Sequence, residues 1–168
     1  MNDPLAQMFR YNAWANATLL AACRDVPGDR LDIVPGGTFG SIRDTLLHFI
    51  GSQDAYLSHL AGGGPDLDRW WRDSWMGLDV LSERATASSA RLVEAAESLE
   101  TDADVTFGQE YGERIRARKS ALLVQALQHA TEHREQICAT LTHLGIQPPD
   151  LSGWAWGEAT GAVEELES

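Results

Sequence analysis

Residues 120–145 read SALLVQALQHATEHREQICATLTHLG. Leu123, Leu127, Ala130, Ile137 and Leu141 recur at three-, four- and seven-residue spacings, the apolar stripe of one long helix. Ser120 suits its N-cap, Gly145 its C′ position, and Pro148 and Pro149 stand behind the stop. Inside this helix His129 and His133 are one turn apart, about 40° round and ~6 Å along the axis. Two imidazoles so placed can reach a single point, which is how a helix offers two nitrogens to one metal. They lie on the shoulder of the helix, His133 roughly 60° and His129 roughly 100° from the apolar stripe.

Three further helical segments precede this one. Pro4 to Cys23 carries Leu5, Phe9, Ala15, Leu19 and Cys23 on one side and ends at a loop rich in Pro and Gly, RDVPGDRLDIVPGGTFG. SIRDTLLHFIGSQDAYLSHL opens with Ser41 and Asp44 spaced as a capping box, shows the stripe Ile42, Leu46, Phe49, Tyr56, Leu60, and is stopped by AGGGP at 61–65. A third helix is expected over about Asp79 to Leu99, with Leu81, Ala85, Ser88, Leu92, Ala95 and Leu99 on one face. DLDRWWRDSW, between the second and third, reads as part of a crossover with one irregular turn. VTF and RIRAR alternate about a Gly-containing turn and predict a small hairpin within 104–118. Four helices in a single domain spanning 1–168, its core at about 4–145 and its C-terminal tail irregular, predict an all-α four-helix bundle. The long crossover allows the second and third helices to run parallel.

Composition narrows the partners. Of 168 residues 43% are hydrophobic, as in ordinary globular proteins, and 13 Lys+Arg against 25 Asp+Glu give a net charge of −12. So acidic a surface repels nucleic acid and anionic lipid, leaving a small-molecule substrate as the expected partner. The basic run RIRARK (114–119) reads as a solvated face. No apolar stretch is long enough to span a bilayer, the first residues do not read as a signal peptide, and Cys23 and Cys138 form no CxxC. A cytoplasmic protein with two free thiols is the expectation.

A histidine pair on a helix is also common surface decoration, so a third ligand decides the matter. His48 in the second helix sits on a shoulder too, lined by the small residues Ser41, Thr45, Ser52 and Ala55. It lies at a similar distance past its N-cap as His129, so adjacent helices of matched length and direction would bring the two level. His59 and His143 are each ~15 Å or more along the axis from the nearest candidate, too far to share an ion whose bonds are near 2 Å. Cys138 faces the opposite side, as a core residue. HATEH also fits H-x-x-E-H, the inverted zincin string with Glu132 as general base, although such proteases are far larger and need a distant glutamate ligand. Neither a G-x-S-x-G elbow nor a P-loop is present, and GGTFGS is too loose for one.

Three stretches in order, FRYNAWAN (9–16), GSIRDTLLHF (40–49) and HATEHREQI (129–137), resemble motifs of the DinB/YfiT-like family of metalloenzymes. The resemblance implies an up-down-down-up bundle, often dimeric, with the metal held by His48, His129 and His133. It also implies hydrolase, thiol-dependent transferase or isomerase activity. Glu132 and Glu135 stand where relatives often carry histidine and glycine, adding negative charge beside the site. Three neutral imidazoles leave a position of a divalent cation, zinc or nickel, open for water or a low-molecular-weight thiol. Glu132 is the candidate proton carrier, and Asn12, Asn16 and Tyr56 are candidate pocket liners. A non-catalytic binding module with a structural metal is the competing expectation.

Overall fold

Apolar periodicity along the chain is converted into five helices and one hairpin in the computed structural model, which describes residues 3–63, 70–72, 75–108 and 114–166. Helix α1 spans Pro4–Cys23 and is capped by the Asp3 side chain, with proline in its first turn. Helix α2 spans Ile42–Leu60, and its capping box is formed: Ser41 Oγ accepts from the Asp44 amide while the Asp44 carboxylate accepts from the Ser41 amide. Helix α3 covers Leu78–Glu97, a residue or two displaced from the expected bounds. Short 3-10 turns lie at Arg30–Asp32 and Trp70–Arg72. The irregular turn expected in the tryptophan-rich stretch is the second of these; 64–69 and 73–74 lie outside the described residues.

The expected hairpin forms, with β1 at Asp104–Gly108 antiparallel to β2 at Arg114–Arg118. Its second strand runs without a linker into α4, Lys119–His143. For this reason Ser120 is not the N-cap. It sits inside the first turn, and its amide and hydroxyl both donate to the Asp102 carboxylate (2.9 and 2.8 Å), so the capping oxygen comes from the segment just before β1. The C-terminal end follows the sequence. Gly145, at φ 71°, passes its amide to Thr142 and the Ile146 amide returns to Leu141, a Schellman stop.

The tail is not irregular throughout. Ser152 caps a further helix, α5, Gly153–Thr160, and Gly161 closes it in the left-handed conformation. Tyr11 of α1 anchors the segment by donating to the Leu151 carbonyl (2.7 Å) and meeting Trp156 edge-on. Of the two tryptophans in this helix, Trp154 stays 73% exposed.

The long helices pack around a closed ring, α1 on α3, α3 on α2, α2 on α4 and α4 on α1. Two apolar clusters fill the ring. One is built around Leu19, Leu46, Phe49, Leu81 and Ile137, and the other around Phe9, Leu57, Leu92 and Leu123. Arg10 pairs with Glu97 at one end of α1 and Arg24 with Asp79 at the other. Gly51, in the middle of α2, exists for contact: a Cβ there would stand 2.3 Å from the Trp71 ring. Gly51→Ala should therefore lose about 1–3 kcal/mol to overpacking instead of gaining the ~1 kcal/mol that alanine normally adds in a helix, as read by urea denaturation.

Candidate metal centre

Helices α2 and α4 lie side by side, and their contacts run in opposite order. The chain just before α2 meets the later part of α4 (Phe39 to Gln136), whereas Tyr56 meets Gln125 further back. The two helices are thus antiparallel, which corrects the expectation that matched direction levels the histidines. They are level because each lies towards the middle of its helix. His48 Nε2 and His129 Nε2 are 3.1 Å apart, and the imidazoles of His48, His129 and His133 offer one nitrogen each within 4.8 Å of one another. Two nitrogens each near 2.05 Å from a tetrahedral ion stand about 3.3 Å apart, so the closest pair already has ligand spacing. The donor set fits a borderline divalent cation, and this three-histidine group can hold a metal ion.

His133 is 7% exposed, while His48 and His129 are half-buried at the mouth. Burial, and then the neighbouring imidazoles, lowers the pKa of His129 to about 4. Burial lowers His48 as well, helped by His133; it also lowers His133, where Gln136 and Glu132 push the other way. All three rings are therefore neutral at physiological pH, the form that ligates.

A family model for the DinB family matches residues 1–164. The chain belongs to the DinB family. No curated protein matches it significantly.

The other expected site residues of this DinB-family chain fall in two groups. Tyr56 stands beside the site, its ring edge-on to His129 at 5.8 Å, with its hydroxyl accepting from Gln125 (3.4 Å). Burial raises its pKa. Glu132 is exposed one turn from Gln128, whose amide donates to it (3.2 Å). Its charge reaches both Tyr56 and His133. Asn12 and Asn16 are elsewhere. Both are 1% exposed, and their side-chain oxygens accept from the Arg134 guanidinium at 2.5 and 2.7 Å. A buried arginine needs acceptors from every direction it can reach, so these oxygens hold a helix contact and are not free for a substrate. Cys23 is fully buried and Cys138 half-buried, and burial pushes their thiols to about 12 and about 11. His59 is stacked on Phe107 of β1, far down α2 from His48.

Sequence reasoning missed Phe39 and Gln136. The Phe39 ring stacks on His48 (4.3 Å, 22°) and meets His133 edge-on (5.1 Å), although it is 52% exposed. The signal in GGTFGS is an aromatic residue just before a helix that bears a candidate ligand. The pH dependence has a defined sign. Above about pH 6.5 neither folded nor unfolded His129 is protonated; between 6.5 and about 4 the unfolded chain binds the proton first. Metal-free protein should lose stability as pH falls from 7.5 to 5.5, and a His129→Asn variant should lose less, in thermal melts.

Proposed function

We propose that this chain is a divalent-metal-dependent enzyme with an open three-histidine site. It would act on a small molecule as a hydrolase or as a thiol-dependent S-transferase or isomerase. The observation that carries the reading is the convergence of three neutral imidazole nitrogens from two helices within 4.8 Å. Among the described residues no carboxylate or thiol joins that group. A closed structural site usually takes four protein ligands, so three favour a reactive site over the competing non-catalytic module.

His48, His129 and His133 would hold the ion, zinc or nickel by donor chemistry. Once bound, it would supply Lewis acidity that activates water or a thiol near neutral pH. The protein's own groups do the rest. Phe39 and Tyr56 wall the mouth and keep the rings oriented. Glu132, exposed and close enough to bias His133, would carry a proton between the site and solvent. With Cys23 and Cys138 held as thiols by burial, a transfer reaction would draw its thiolate from an external low-molecular-weight thiol. The residue pairs between helices support an up-down-down-up bundle. Arg10–Glu97 and Arg24–Asp79 set α1 against α3, Gln53–Ser89 followed by Asp54–Arg91 sets α2 along α3, and the site contacts set α2 against α4. We further propose that the chain pairs with a second copy, as the family resemblance implies.

Elemental analysis of protein purified without a metal-affinity tag tests the reading. About one zinc or nickel per chain is expected, and His48→Ala should lose the ion while its chelator-treated melting point stays within a few degrees of the wild type. Protein that never takes up a divalent ion would end the enzyme reading. A melting point that collapses on chelation would favour the structural module.

A further inference from the structure

Gln136 joins two things that sequence leaves unconnected: the loop before α2 and the innermost histidine of α4. Its side-chain oxygen lies 3.2 Å from the Phe39 amide nitrogen and 3.2 Å from His133 Nδ1. A glutamine amide can be turned either way, and the two orientations exchange an acceptor for a donor. The backbone N–H of Phe39 removes that freedom, because it can only donate. The atom facing it must be the Gln136 oxygen. That oxygen has two lone pairs and no proton, so the second group directed at it must donate as well. His133 Nδ1 therefore carries the hydrogen, and the lone pair of the neutral ring resides on Nε2.

From this chain of donors we infer that Gln136 is a positioning residue which fixes His133 as the Nδ1–H tautomer and so presents its Nε2 as a ready ligand. The inference rests on the metal-site reading above and adds to it the device that prepares one ligand before any ion arrives. A ligating histidine generally donates its other nitrogen to an outer partner, which sets both tautomer and ring angle. Here the outer partner is itself set by a backbone amide. The same loop residue stacks its ring on His48, so one residue, Phe39, orients two of the three rings by separate routes. The spacing is helical: His133 and Gln136 are three apart on α4 and share a face. Gln136 can reach Nδ1 without leaving that face.

The test reads tautomers directly by 15N-resolved imidazole NMR on metal-free protein at pH 7.5, with zinc affinity measured in parallel. Wild-type His133 should show a protonated Nδ1 and a bare Nε2. Gln136→Leu keeps the volume and removes the acceptor; its His133 should shift towards the Nε2–H form, and zinc affinity should fall about 10–100-fold. Gln136→Glu restores an acceptor for both donors and should return the Nδ1–H signal and bind zinc within a few-fold of the wild type. Phe39→Ala leaves the backbone amide in place and should keep the wild-type tautomer. A bare Nδ1 in the wild type, or a Gln136→Leu variant with unchanged tautomer, would overturn the inference. Because the tautomer is read without metal, it decides the role of Gln136 even if no variant and no wild-type sample takes up zinc; that second failure would count against the metal site alone.

Discussion

A buried guanidinium that meets no carboxylate among the described residues sets the geometry of this protein. Arg134 is 1% exposed, and the acceptors facing it are the neutral oxygens of Asn12, Asn16 and Thr131, with the Tyr11 ring 5.8 Å away. Taking a cation out of water is costly, and burial accordingly lowers its pKa. Only a full set of oriented dipoles makes the position tolerable. That requirement admits one rotation of α4 about its axis, the one that points Arg134 at α1. His133 is the next residue along, about 100° round the helix, so the same rotation turns it away from α1. The neighbour on that side is α2, which brings His48.

The second constraint comes from outside the helices. Residues 33–40 look like a connector, yet their last aromatic residue covers the site and their backbone reaches Gln136. The half-exposed ring of Phe39 is a poor contributor to the core and a good wall for a ligand, since it contacts His48 and His133 and otherwise meets solvent. Opposite it stands Tyr56, edge-on to His129. The mouth of the site is aromatic on two sides in a chain whose net charge is −12. Three neutral imidazoles under an aromatic rim make a group that could hold a metal ion.

Much of this was legible beforehand, and the reasons are local. Helix α1 and the capping box of α2 depend on residues a few positions apart, and both formed where periodicity and Ser41–Asp44 put them. The Schellman stop at Gly145 needs only a residue tolerant of positive φ. The three histidines could be singled out because helical spacing selects pairs and excludes His59 and His143 by distance. Failures began wherever a partner came from elsewhere in the chain. Ser120 looked like a cap because nothing nearby announced that Asp102 would supply the capping oxygen. Asn12 and Asn16 looked like pocket liners because their acceptor role for Arg134 spans more than a hundred residues. The helix at Gly153–Thr160 was hidden by its two glycines, a third just behind it, and a short length.

By itself the sequence determined the four long helical segments, where several of them stop, and which imidazoles share a helical face. These are consequences of backbone geometry repeated every turn, and they need no knowledge of neighbours. Tertiary structure alone decided that His48 and His129 stand at one level, that the asparagines serve a buried arginine, and that Gln136 faces both a loop amide and a histidine. Each of those is a choice among rotations and pairings of finished helices. Desolvation and hydrogen-bond satisfaction make that choice across the whole fold at once, and no window of sequence contains all the groups that must agree.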